Sequence, residues 1–314
     1  MTKLQKLEDK IKDNYLMNKD LIHHLAYCCS LPIELKIGYS KQRIKQFYES
    51  INGEVYISFS GGKDSTVLYH LIKSMYPDIK SVFFNTGLEY PEIVDFVNKF
   101  DDVIHVRPKR TFKDIIEQYG YPIISKEVAQ KLEEIRTTKS DKLYNKRING
   151  DHNGNGKLPI KYRFLIDAPF KISKRCCDYL KKQPAHKFEK ETGLSPYIGT
   201  MVSDSQLRRT TYIQNGGCNH YSDRRNISTP LSFWSDQDIW DYIKQNDIPY
   251  CKIYDMGYKN TGCAFCGFGC HLEQDNKFKL MINTHPKLYD YCMNKLGMAE
   301  VFKFMESGLG NKIL

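Results

Sequence analysis

Apolar residues fall in two rhythms along this chain. Up to residue 50 they recur every three to four positions: Leu4, Leu7, Ile11 and Tyr15, then Ile44, Phe47, Tyr48 and Ile51. That spacing gathers side chains on one side of a helix. Residues 1–50 are therefore expected to form a helical N-terminal extension, with Ser40 placed to cap its second helix. From residue 54 the rhythm changes. Val55-Tyr56-Ile57-Ser58-Phe59 is a short β-prone run stopped by Gly61-Gly62, and a helical period follows through Val67, Leu68, Leu71, Ile72 and Met75. Ser81-Val82-Phe83-Phe84 reads as a second strand ending at Thr86-Gly87. Pro91 suits the first turn of a helix carrying Ile93, Val94, Phe96 and Val97. Val103–Val106 reads as a third strand, and Phe112, Ile115 and Ile116 mark another helix.

Strand, helix, strand, helix, strand predicts an α/β fold: a parallel twisted sheet with helices on both faces. Ligands of such sheets sit beyond the carboxyl ends of the strands. Ser60–Ser65 and Asn85–Gly87 both follow strand ends and are expected to face one crevice. Farther along, residues 126–148 read as polar helix and residues 149–157, rich in Asn and Gly, as a loop. Pro196–Val202 reads as a fourth strand, followed by a polar helix with Asp204, Arg208 and Arg209. Trp234–Ile243 reads as a helix with Ile239, Trp240 and Ile243 on its apolar side. The expected organisation is a helical extension over 1–50, a nucleotide-binding α/β domain over 51–250, and a cysteine-bearing, partly helical segment over 251–314.

Composition narrows the setting. A hydrophobic fraction of 41% and a charged fraction of 27% over 314 residues suit a folded domain with a sizeable core. There is no apolar run of 18 residues, and the charged start Met1-Thr2-Lys3-Leu4-Gln5-Lys6 lacks the apolar stretch of a secretory signal, so the expected compartment is the cytoplasm. The ten cysteines then point to metal or catalysis rather than disulfides. The net charge of +10 reads either as a solvated basic surface or as a match for a polyanionic partner, a nucleotide or a nucleic acid. Residues 171–190 concentrate that charge, with seven Lys/Arg against Asp178 and Glu189 around the pair Cys176-Cys177.

The segment Ser60-Gly61-Gly62-Lys63-Asp64-Ser65 carries the chemistry. It lies where a strand gives way to a helix. Two glycines allow positive φ and close approach of a ligand. The amides of the helix start offer donors and a partial positive charge. Ser60 and Ser65 add hydroxyls, and Lys63 adds a cation. The loop is not a Walker A motif: Ile57 stands where that motif needs its first glycine, and Asp64 follows the lysine. An acidic residue beside phosphates needs an offset, which Mg²⁺ bridging Asp64 and phosphate oxygens supplies.

Ser60–Ser65 resembles the PP-loop of adenine nucleotide α-hydrolases, and the chain resembles the phosphoadenosine phosphosulfate (PAPS) reductase family over roughly residues 40–270. Asn85-Thr86-Gly87-Leu88-Glu89-Tyr90-Pro91-Glu92 resembles that family's second motif. Gly199-Thr200 with Asp204-Ser205 and Arg208-Arg209 resembles its Gly/Arg substrate segment, and Pro230-Leu231 with Trp234 and Asp238-Ile239-Trp240 its closing helix signature. The resemblance implies binding of ATP or an adenylyl sulfonucleotide through Ser58, Ser60, Gly61, Gly62, Lys63, Asp64, Ser65, Asn85, Thr86, Gly87 and Gly199. PP-loop enzymes split ATP between its α- and β-phosphates; reductase members reduce the sulfate of an adenylyl sulfate. Both need positive groups aimed at developing charge. Lys63, Asp64, Arg208 and Arg209 are the candidate catalytic residues.

Cys176-Cys177 followed by Cys263-Ala264-Phe265-Cys266 resembles the [4Fe–4S] pattern of adenylyl-sulfate reductases, which also place a Lys and a Pro after the pair, as Lys181, Lys182 and Pro184 stand here. The four thiols equally suit structural zinc, and Cys270 is a possible replacement for one of the pair. Cys218 is a possible further ligand or carrier. Reductases of the family carry a nucleophilic cysteine in a C-terminal Glu-Cys-Gly tail, whereas here no cysteine follows Cys292. The expected function is therefore ATP-dependent adenylation or sulfur transfer of PP-loop pyrophosphatase type with an iron–sulfur cluster. A sulfonucleotide reductase with a non-standard nucleophile and a non-catalytic nucleotide-binding protein with structural zinc are the alternatives. The expected partners are the adenine nucleotide, a nucleic-acid or small-molecule sulfur acceptor, and a sulfur-donor protein.

Overall fold

The computed structural model describes residues 18–310 and 312–314; the repeat at Leu4, Leu7, Ile11 and Tyr15 lies outside them. In chain order the helices are α1 (18–30), α2 (Ile33–Ser50), α3 (Lys63–Lys73), α4 (Pro91–Val97), α5 (Phe112–Tyr119), α6 (Lys126–Thr137), α7 (Asp141–Ile148), α8 (Arg175–Cys177), α9 (Gln183–Thr192), α10 (Gln206–Gln214), α11 (Asp236–Gln245), α12 (Lys277–Thr284), α13 (Pro286–Asp290) and α14 (Met298–Leu309). The strands are β1 (Val55–Ser58), β2 (Ser81–Phe84), β3 (Val103–Val106), β4 (Ile123–Ile124), β5 (Ser195–Ile198), β6 (Asn219–His220), β7 (Ile227–Ser228) and β8 (Gly267–Phe268). The chain forms two compact units. One takes the described residues up to Phe84, then Glu92–Val106 and Lys187–Cys251; the other takes Asn85–Pro91, Arg107–His186 and Lys252–Leu314.

The first unit is built on a six-stranded sheet ordered β3-β2-β1-β5-β7-β6. Its strands are parallel except β6, which runs antiparallel to β7 at the edge. The expected α/β fold with a mostly parallel sheet is present. From β1 the chain winds outward through β2 to β3, then returns on the opposite side of β1 as β5. The order therefore reverses between β1 and β5, and the crevice beyond their carboxyl ends is the natural ligand position. Val67, Leu68, Leu71 and Ile72 of α3 are wholly buried in a core shared with Val55, Ile57, Ile44, Phe47, Tyr197 and Trp234.

Two expectations need correction. Ser40 does not cap a helix. It lies within α2, fully buried, where its hydroxyl donates to the Pro230 carbonyl at 2.9 Å and accepts from Trp234 Nε1 at 2.9 Å. The helix expected from Trp234 begins at Asp236, because Ser235 is its N-cap. Ser235 Oγ accepts from the Asp238 amide, and the Asp238 carboxylate accepts from the Ser235 amide at 2.7 Å.

In the second unit Tyr121–Ile124 acts as a strap. On one side Tyr121 bridges to Ile172, donating from its amide to the Lys171 carbonyl at 2.9 Å. Farther along the strap, β4 pairs with β8 in parallel, Ile123 opposite Gly267. The strap thus holds the stretch leading into Cys176-Cys177 beside the stretch leaving Cys263-Cys266. No helix among the described residues is long and apolar enough to cross a membrane.

Candidate functional site

β1 ends at Ser58 and α3 begins at Lys63, so the intervening turn sits at the point of strand-order reversal. Gly61 has φ +72°, and a Cβ there would lie 2.8 Å from Val97 Cγ2 and 3.0 Å from Ile93 Cγ2. Both facts demand glycine. The two serines brace the turn: Ser65 Oγ accepts from the Ser60 amide at 3.1 Å, lies 3.0 Å from Ser60 Oγ and donates to the Gly62 carbonyl at 2.8 Å. Gly62 is the N-cap of α3 and supplies no side-chain cap. The first amides of the helix thus remain as donors for a ligand.

Gly199, next after β5, closes the other side. A Cβ on it would lie 3.0 Å from the Asp64 carbonyl oxygen and 3.2 Å from the Ser65 nitrogen. Bare backbone at this position lets β5 press against the first turn of α3.

Lys63 is the charged centre of the turn, with its side chain only 3% exposed. Its Nζ lies 3.1 Å from Asp64 Oδ1 and 2.6 Å from Asp236 Oδ1. Burial pushes the Asp64 carboxyl up, Lys63 opposes that, and the Asp236 charge adds to it. Arg208 acts on the same carboxylate and forms an ion pair with Asp204. Arg209 is exposed on α10. The first unit therefore gathers Ser58, Ser60, Gly61, Gly62, Lys63, Asp64, Ser65, Gly199 and Arg208 around one turn. Sequence reasoning missed Asp236. Its signal was the Ser-x-x-Asp cap of Ser235 and Asp238, which fixes where α11 starts.

Asn85, Thr86 and Gly87 belong to the second unit, where they form a side-chain-braced turn. The Gly87 amide donates to Asn85 Oδ1 at 2.9 Å, and the Thr86 hydroxyl donates to Glu89 Oε1 at 2.7 Å. The next carbonyl, that of Leu88, accepts from the Ala264 amide at 2.8 Å.

That contact leads to the thiols. Cys176, Cys177, Cys263 and Cys266 line one cavity with Leu88, Phe112, Pro122, Leu180 and Lys181. The hydrogen bond between Cys176 and Cys177 holds Cys177 below the usual thiol range and Cys176 above it, with Lys126 and Lys181 also lowering Cys177. The charge of Cys263 raises the Lys181 ammonium, with Glu89 and Cys177 adding to it. Burial pushes Cys266 up. Cys270 is not among the lining residues. Its thiol donates to the Gly267 carbonyl at 3.0 Å, and burial pushes it up to about 12. Cys218 belongs to the first unit and is buried, also pushed up to about 12. Among the described residues no three Cys, His, Asp or Glu side chains close on a point that would hold a metal ion. The donor set of four thiols, an apolar wall and one ammonium is nonetheless the chemistry that iron–sulfur ligation uses.

The chain is similar to known proteins. Residues 54–267 match the family model of the phosphoadenosine phosphosulfate reductase domain. An uncharacterized protein of Methanocaldococcus jannaschii is 25% identical over 92% of this chain and 56% of its own length, so the chain spans little more than half of that relative. The adenosine 5′-phosphosulfate reductase of Geobacillus kaustophilus is 27% identical over 70% of this chain and 75% of its own. A phosphoadenylyl-sulfate reductase structure from Candida auris, in complex with phosphate, aligns with TM-score 0.43 and 18% identity over 77% of this chain and 93% of that one.

Proposed function

Because this chain belongs to the phosphoadenosine phosphosulfate reductase domain family, we propose that it binds ATP, or a related adenine nucleotide, at Ser60–Ser65 and acts at the α-phosphate in adenylation or sulfur-transfer chemistry. The observation that carries this reading is the uncapped start of α3 with buried Lys63, at the reversal of strand order between β1 and β5. In such a reaction an acceptor oxygen or sulfur attacks the α-phosphorus, the bridging bond to the β-phosphate breaks, and pyrophosphate leaves with the electron pair. Lys63 and the α3 amides meet the charge that grows on that leaving group. Asp64, half-buried beside them, would hold the magnesium ion that travels with the phosphates. Arg208 acts on the same carboxylate and, once released from Asp204, would meet the α-phosphate.

The four thiols of the second unit support a [4Fe–4S] cluster on Cys176, Cys177, Cys263 and Cys266. The support is the donor set itself: Cys176, Cys177, Cys263 and Cys266 line one cavity, and thiolates are the ligands that such clusters use. When bound, such a group supplies electron or sulfur-binding chemistry; Lys181 offsets the thiolate charge and the apolar wall excludes water.

A second reading, sulfonucleotide reduction, is favoured by the Geobacillus relative. One experiment separates the two. The full chain is incubated with labelled ATP, PAPS and adenylyl sulfate in turn. Pyrophosphate from ATP in the presence of an acceptor supports the first reading. Sulfite from either sulfonucleotide, with ATP untouched, replaces it with the second.

A further inference from the structure

Lys63 is held between two carboxylates, and only one of them belongs to the phosphate loop. Asp236, at 2.6 Å, is the nearer. It comes from the first turn of α11, whose start is fixed independently: Ser235 and Asp238 close the cap, and Lys36 Nζ lies 2.7 Å from Asp238. Asp238 carries that structural duty. The side chain of Asp236 is left to reach Lys63 while remaining 66% exposed to solvent.

The charge count at the mouth of the loop is therefore unfavourable to a bare anion. One ammonium stands against two carboxylates, and Arg208 is engaged by Asp204. Phosphate oxygens arriving at the α3 amides meet a lysine already neutralised and a carboxylate a few ångströms away. Repulsion at such distances costs roughly tenfold or more in affinity. A divalent cation reverses the balance, because it gives both carboxylates and the phosphates a shared counter-charge. A nucleoside triphosphate chelates magnesium through its phosphate chain. An adenylyl sulfate, with one phosphoryl group and a weakly basic sulfate, does not.

We propose that Asp236 is a specificity-determining residue of the phosphate loop: with Asp64 it withholds Lys63 from metal-free anions and favours a nucleotide that arrives bearing a divalent cation. This rests on the nucleotide reading above and names its substrate class, a magnesium-bound triphosphate.

The test is calorimetric titration of the full chain with ATP in excess magnesium, ATP in EDTA, and adenylyl sulfate in EDTA. It is run on the native protein, Asp236→Asn and Asp238→Asn. The native protein binds magnesium-ATP at least about tenfold more tightly than metal-free ATP. In Asp236→Asn, metal-free ATP and adenylyl sulfate gain about tenfold while magnesium-ATP does not, so the preference collapses. Asp238→Asn, which removes the carboxylate's half of the cap and the Lys36 ion pair but leaves the Ser235 hydroxyl on the backbone amide of residue 238, lowers the melting temperature and keeps the preference. Asp236→Ser repeats the measurement with a helix-starting side chain if the amide disturbs the fold. A native protein without preference for the metal complex, or an Asp236→Asn protein that keeps the preference or weakens every ligand alike, overturns the proposal. A native protein that binds none of the three ligands defeats the nucleotide reading beneath it, a result distinct from all of these.

Discussion

Gly61 and Val97 approach so closely that a methyl group on the glycine would lie 2.8 Å from Val97 Cγ2. The turn after β1 is thus pressed onto α4, and its positive φ is kept there by packing from outside the loop. Gly61→Ala meets both the clash and the left-handed backbone. The expected loss is about 1–3 kcal/mol in denaturant unfolding, with weaker nucleotide binding. Val97→Ala on the same chain relieves the clash and returns part of the stability but not all. Full recovery would mean the backbone conformation carries no cost.

Lys63→Ala removes the buried cation of the turn. Charge-assisted hydrogen bonds to phosphate contribute about 1.5–3 kcal/mol, so ATP affinity should fall by about 10- to 100-fold with the circular dichroism spectrum unchanged. Lys63→Arg should not restore it, because a planar guanidinium does not fit a site that leaves the native side chain 3% exposed. Wild-type affinity in Lys63→Ala would remove the loop from the binding site.

The cavity lining separates the cysteines. Cys177→Ala and Cys263→Ala should lose bound metal, and Cys270→Ala, whose thiol contacts the Gly267 carbonyl instead, should keep it. Iron, sulfide and zinc per chain after anaerobic purification, with absorbance at about 400 nm from thiolate-to-iron charge transfer, provide the readout. Equal loss in all three variants would erase the distinction drawn between Cys270 and the lining four.

Asp102 gives the first unit a signature in its acid stability. Burial raises its carboxyl, but hydrogen bonds from Lys73 and Tyr69 outweigh that and hold it below its ordinary value. A depressed folded-state pKa contributes stability that is present above the unfolded value of about 4 and is lost as pH falls through the folded one. At neutral pH Asp102→Asn should cost about 1–2 kcal/mol. The gap to the native protein should close as pH drops below about 4, followed by urea midpoints across that range. A gap that stays constant would show that geometry, not charge, is what Asp102 contributes.

Much of the nucleotide site is legible because it is local. The β-prone run at Val55, the two glycines and the helical period from Val67 lie within one stretch of chain, and their order alone places a helix start beyond a strand end. What escaped was set by distant residues. Ser40 reads as a cap because serine favours helix starts, yet Pro230 and Trp234 satisfy it inside α2. Asp236 looks like an ordinary first-turn acid until α11 is packed beside Lys63. The distinction between Cys270 and the other four thiols is equally hidden. Spacing puts it near Cys266, and the sequence does not announce that its thiol bonds to the Gly267 carbonyl.

The pairing of β1 with β5 has a consequence for biogenesis. β1 acquires its second sheet neighbour only after the ribosome has produced β2, β3 and the whole stretch that carries Cys176 and Cys177. Such long-separation pairings form slowly and leave an open strand flank meanwhile. The nascent chain therefore carries an unfinished anion cradle from Ser65 until Gly199 has been made, and the step that completes it comes when Gly199 docks against the first turn of α3.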